Sequence, residues 1–110
     1  MAKRDVGGFE LQVLLAVMRL GDHAYGVPIA DTIEAASGRE VAAGAIYITL
    51  DRLEEKGLVT SRLGESTPER GGRAKTYFVI TGKGVRAVRQ AHRTLVKLWS
   101  GVPQLKGGTA

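Results

Sequence analysis

The chain has 110 residues, a formal net charge of +5, a pI near 9.9 and no cysteine. That length suits one small domain with a single modest core, near the size where an extra partner surface helps. The basic balance favours a polyanionic partner, the lack of cysteine excludes disulfides and thiolate metal sites, and no apolar run reaches the roughly 18 to 20 residues of a membrane span. The start, MAKRDVGGFE, lacks the apolar stretch of a signal peptide, so a cytoplasmic setting without membrane partner or cofactor is expected.

FELQVLLAVMRL, from Phe9 to Leu20, is apolar on nearly every side and reads as a helix covered from more than one direction. Gly21 and Asp22 interrupt it. A second helix is expected from about Tyr25 to Ala36, with Val27, Ile29, Ala30 and Ile33 apolar, Pro28 in its first turn and Gly38 past its end. The third starts near Ala43, buries Ile46, Leu50 and Leu53 at i, i+4 and i+7, and stops on Gly57 as a C-terminal cap. Two short strands follow, about Leu58 to Leu63 and Lys75 to Thr81, on either side of the polar loop GESTPERGGRA. A last helix begins after Thr81 and runs to about Ser100, and the chain from Pro103 reads as a frayed tail. This order is that of a winged helix-turn-helix, mainly α with a two-stranded wing. The expected division is residues 1–82 as a DNA-binding domain, 83–102 as a dimerisation helix and 103–110 as a flexible tail.

At 100° per residue, Ala45, Thr49, Arg52 and Lys56 fall on one stripe of the third helix beside its buried face, with Asp51, Glu54 and Glu55 projecting elsewhere. A recognition helix needs such a strip of small, polar or basic side chains to enter a major groove without setting carboxylates against phosphates. Many amphipathic surface helices have one, so the loop carries equal weight. Arg62, Arg70, Arg73 and Lys75 lie in or beside it, and Gly71 and Gly72 allow close approach to a sugar-phosphate wall.

The run GAIYITLDRLEEKGLV, from Gly44, the wing run GGRAKTYFVITGKG and the pair Tyr25-Gly26 together resemble the motifs of the PadR family, named for repressors of phenolic-acid decarboxylase genes. The resemblance covers roughly Leu11 to Trp99. It implies a dimeric one-component regulator that binds a palindromic operator on double-stranded DNA and is released by a small hydrophobic or aromatic effector. Its implied DNA-binding positions are Tyr25, Gly44, Ala45, Tyr47, Thr49, Arg52, Lys56, Arg70, Gly72, Arg73 and Lys75. Ala45 stands where the family has serine or threonine, Ile48 where it has proline, Lys75 for arginine and Phe78 for tyrosine. Tyr47 lies beside the core face, where packing and phosphate contact are both open to it.

Catalysis finds no support in the pattern. Gly82-Lys83-Gly84 opens a helix after a strand, but no parallel strand or acid follows as a dinucleotide site requires, and the bland reading is a glycine turn from wing to helix. His23 and His92 have no neighbouring set of metal ligands. On the last helix Val85, Val88, His92, Leu95, Trp99 and Val102 step by three and four, opposite Arg86, Arg89, Arg93 and Lys97. With Leu14 and the apolar first helix, that stripe is the expected dimer interface. Trp99 is either its anchor or a stacking surface for an effector. The competing assignment is a winged-helix protein-interaction module that does not bind DNA specifically.

Overall fold

The computed structural model describes residues 6–64 and 74–106. It places helices α1 (Gly8–Leu20), α2 (Gly26–Ser37) and α3 (Ala43–Glu55) before an antiparallel pair β1 (Val59–Leu63) and β2 (Thr76–Ile80), then the long helix α4 (Gly82–Trp99). A 3-10 turn at Gly21–His23 joins α1 to α2. The mainly α winged helix-turn-helix expected from the sequence is therefore the fold. No helix among the described residues is long and apolar enough to cross a membrane.

The core is assembled from side chains at helical spacing. Val13, Leu14 and Val17 of α1, Ile29 and Ile33 of α2, and Ile46, Leu50 and Leu53 of α3 meet Leu58, Val59, Phe78 and Val88 from the wing base and α4. Each such side chain removed from water contributes about 1.5 to 3 kcal/mol. Two expected interface residues are consumed here. Leu14 is 0% exposed and Val88 only 7%, so both belong to the chain's own core and not to a partner surface. The reason is rotational: α1 is apolar all round, and its inward side is the one through Val13, Leu14 and Val17, which leaves Leu15 and Met18 outside.

The chain leaves α3 through a Schellman turn. Gly57 adopts φ 78°, the Gly57 N–H donates to the Glu54 carbonyl at 2.9 Å, and the Leu58 N–H donates to Leu53 at 2.9 Å. The strands then pair with Val59 opposite Ile80 and Leu63 opposite Thr76. The Phe78 N–H donates to the Ala24 carbonyl at 2.8 Å, tying the wing to the entry of α2. Thr81 caps α4: its hydroxyl accepts from the Gly84 N–H at 3.0 Å and donates to the Gly57 carbonyl at 2.7 Å. A β-carbon at Gly84 would overlap the Leu58 carbonyl oxygen, so this glycine serves close packing.

Beyond α4, Pro103–Leu105 forms a 3-10 turn in which the Leu105 N–H donates to Val102 at 3.1 Å and the Lys106 N–H to Pro103 at 3.2 Å. The stretch expected as a flexible tail thus opens on a turn, which proline at the first position presets and in which Val102 and Leu105 are half-buried. Residues 107–110 lie outside the described residues.

One ion pair fastens α1 to the end of α3. Lys56 Nζ lies 2.8 Å from Glu10 Oε1 with both side chains mostly buried, and the Gly7 N–H donates to the same carboxylate at 2.9 Å. Burial by itself raises the Glu10 pKa. The hydrogen bonds from Lys56 and Gly7, with the charges of Lys56 and Arg52, outweigh it and hold the carboxyl below its ordinary range. A carboxylate whose folded pKa is depressed contributes stability above its unfolded pKa and loses it as pH falls through the folded value. Glu10→Gln should therefore cost about 1 kcal/mol at pH 7 by urea unfolding, with the gap from wild type closing in acid. A gap of constant size down to pH 3 would contradict this role.

Candidate nucleic-acid interface

The buried face of α3 runs through Ile46, Thr49, Leu50 and Leu53. Thr49 is only 6% exposed, which removes it from the reading stripe. It lies 60° from Ile46 at 100° per residue, inside the arc that α1 and α2 cover. Lys56 also departs from the stripe, since its ammonium is held by Glu10. What the helix exposes is Gly44, Ala45, Tyr47 and Ile48 in its first half and Asp51, Arg52, Glu54 and Glu55 in its second. Asp51 and Glu55 lie on the outward side, opposite Leu50 and Leu53, so only the first half offers a groove a surface free of carboxylates.

That half is positioned from α2. The Val41 N–H donates to Glu34 Oε2 at 2.7 Å, which sets the linker that launches α3. The Tyr47 hydroxyl lies against Gly26, where any β-carbon would collide with it. Tyr47 thus packs on the start of α2 while remaining about half exposed, and the glycine of the Tyr25-Gly26 pair is explained by that contact.

Beside it two touching tyrosine rings, each faced by one cation, form the root of the wing. The Tyr25 and Tyr77 rings meet edge to face at 5.4 Å, Lys75 Nζ stands 4.0 Å from the Tyr25 ring centre, and the Arg62 guanidinium stands 4.8 Å from that of Tyr77. Arg62 and Tyr77 are cross-strand partners, which accounts for their meeting. Each cation–ring contact is worth about 0.5 to 1 kcal/mol at such exposure and holds a long side chain in one place. Lys75 and Arg62 are therefore pre-positioned charges on the side of the molecule where Tyr25 begins α2. Arg70, Gly72 and Arg73 lie outside the described residues. Tyr77 escaped the sequence reading, because its partners depend on a strand register that a loop of unassigned conformation does not reveal.

The expected dimer stripe divides in two. Val85 is half-buried against the domain, whereas His92, Leu95 and Trp99 are exposed, Trp99 by 59%. Val96 and Leu98 join them, so the second half of α4 leaves the domain carrying an uncovered apolar surface. Trp99 also borders a hollow of about 240 Å³ closed by Gly101, Val102, Pro103 and Leu105.

The sequence model of the transcriptional regulator PadR-like family matches residues 14–90. Among solved structures, a PadR-like transcription factor from Bacteroides fragilis is 26% identical and superposes with a TM-score of 0.71, covering 82% of this chain and 82% of that one. A PadR family transcriptional regulator from Eggerthella lenta is 27% identical with a TM-score of 0.67, covering 91% of this chain and 88% of that one. The hsRosR-S1 complex is 25% identical with a TM-score of 0.69, covering 93% of this chain and 83% of that one. No curated protein matches significantly in sequence.

The two kinds of α3 residue should separate on mutation. Thr49→Val, which keeps the buried shape, is expected to leave duplex sequence preference unchanged, whereas Arg52→Ala should relax it, a good base contact being worth about 1 to 3 kcal/mol. Tyr25→Leu should weaken all duplexes about two- to fivefold by releasing Lys75. Binding-site selection with each variant checks all three, and altered preference in Thr49→Val would overturn the assignment.

Proposed function

Because the chain belongs to the PadR-like family of DNA-binding transcriptional regulators, we propose that it is a homodimeric repressor which binds an inverted-repeat operator and is released by a small hydrophobic or aromatic effector. The observation that carries this reading is the pairing, on one chain, of a carboxylate-free half-helix beside fixed cations with an apolar helix end left exposed among the described residues. The first half of α3 enters the major groove, and the wing root sets Lys75 and Arg62 on the flanking phosphates. Leu95, Val96, Leu98 and Trp99 meet the same residues of a second copy across a two-fold axis. Such a dimer places two recognition helices about one turn, roughly 34 to 36 Å, apart. The family is one of regulators and not of enzymes, and a regulator of this kind works in the cytoplasm.

The effector site rests on Trp99. An exposed indole beside a small apolar hollow, duplicated across a two-fold axis, offers two flat surfaces between which a planar ring can stack. Its occupation changes the spacing of the two α4 helices, and with them the spacing of the reading heads.

Selection from random duplex DNA is expected to return an inverted repeat bound by two chains, with affinity falling steeply as salt rises. Affinity independent of salt and equal for all duplexes would leave a protein-interaction module instead. The lone tryptophan makes the effector arm separable: planar phenolic acids or cationic dyes should quench Trp99 fluorescence and lower operator affinity by the reciprocal factor. A Trp99→Ala dimer that keeps the full effector response would remove the stacking role.

A further inference from the structure

The charge of this chain is unevenly spread. All 11 acidic residues lie at or before Glu69, while lysines and arginines continue to Lys106. α4 carries Lys83, Arg86, Arg89, Arg93 and Lys97 and no acid. The proposed operator contacts use none of them.

All of these but Lys97 meet the far end of the recognition helix in an open groove of about 1120 Å³. α3 contributes Arg52, Glu55 and Lys56, and α4 contributes Lys83, Arg86, Arg89, Gln90 and Arg93, over a floor of Leu58 and Ala87. Glu55 is the single acid in the lining. Arg52, Lys83, Arg86, Arg89 and Arg93 make no ion pair among the described residues. The Arg93 guanidinium donates to Gln90 Oε1 at 2.9 Å.

We propose that this groove is a second polyanion site, which binds the phosphate backbone of duplex DNA without regard to sequence. Along α4, Lys83 to Arg93 spans roughly 15 Å at 1.5 Å per residue, with cations every three or four positions on one face. That is a row able to follow successive phosphates of one strand. Four of the six cations are arginine, whose planar fork meets phosphate oxygens in pairs. No aromatic ring lines the groove. Single-stranded nucleic acid and free nucleotides are held by stacking on such rings, so the duplex backbone fits better than either. An acidic peptide would need apolar anchors that the shallow floor does not offer.

Apart from Arg52, which borders both, the site is distinct from the reading face. Gly44 and Lys56 lie at opposite ends of α3, roughly 18 Å apart. A chain engaged on an operator through Ala45 and the wing root still presents this groove outward, to a flanking or a second segment of duplex. The arrangement makes the regulator a bridge between DNA segments.

The test compares the full-length wild type with Arg86→Ala/Arg89→Ala/Arg93→Ala and with the corresponding triple Lys variant, on a random-sequence duplex and on the selected operator. The Ala variant should lose roughly tenfold to a hundredfold in affinity for random duplex, and its log K against log salt slope should flatten by about 2 to 3. Its preference for operator over random DNA should rise, and the Lys variant should recover most of the slope. Unchanged melting by circular dichroism shows that the exposed substitutions leave the fold intact. Equal slopes in the Ala variant and wild type would overturn the proposal while leaving operator reading untouched. Loss of operator preference in Arg86→Ala/Arg89→Ala/Arg93→Ala would place these residues in the reading face and overturn it too. Poly-glutamate that competes as well as duplex at equal charge would assign the groove to acidic protein and do the same.

Discussion

At Gly84 the first turn of α4 lies against the Leu58 carbonyl, with Thr81 bonded both to that turn and to the Gly57 carbonyl, and the Thr81 N–H donating back to Leu58 at 3.0 Å. Four elements are locked together there: the end of α3, the start of β1, the end of β2 and the start of α4. Because α3 leaves through a left-handed glycine at this knot, the direction of the wing relative to α3 is fixed within a few residues. The departure angle of α4 is set by the same contacts. Both ends of the proposed function, the reading head and the dimer arm, are therefore carried on one rigid joint.

The joint also explains how charge is sorted. The acids of α3 crowd its second half, next to the basic groove, while its first half is neutral. Glu10 engages Lys56 at the C-terminal end of α3 and holds that ammonium against α1. The cations beside the first half of α3, Lys75 and Arg62, are steadied on tyrosine rings and, among the described residues, not by carboxylates. A carboxylate partner would compete with phosphate for the same charge, whereas a ring face orients the cation and leaves it electrostatically unneutralised. That choice of partner suits a surface meant to meet a polyanion.

A chain of this size has little interior to spare. Its core uses the inward side of α1 and only the first half of α4, so Leu15 and Met18 on one helix and Leu95 to Trp99 on the other remain uncovered. The ordered turn at Pro103–Leu105 shields a little of this surface beside Trp99 but not its outward side. An apolar helix end that extends past its own core is stable in water chiefly when a second surface covers it, which is the physical basis of the proposed dimer.

By itself the sequence determined the order of elements, because that order rests on local rules: helical spacing of Ile46, Leu50 and Leu53, a glycine at Gly57, and the β-branched and aromatic residues of the strands. It also determined the basic balance and the family motifs that connect the chain to DNA. Only the tertiary structure decided which side of each helix faces inward. Thr49 and Leu14 were legible as members of an apolar or mixed arc, but their burial depends on how α1, α2 and α3 rotate about one another, a sum of many contacts distant in sequence. The partnership of Glu10 with Lys56 and of Tyr25 with Tyr77 was hidden for the same reason, since each joins residues dozens of positions apart. Periodicity records which residues share a face of one element, and packing alone chooses what that face meets.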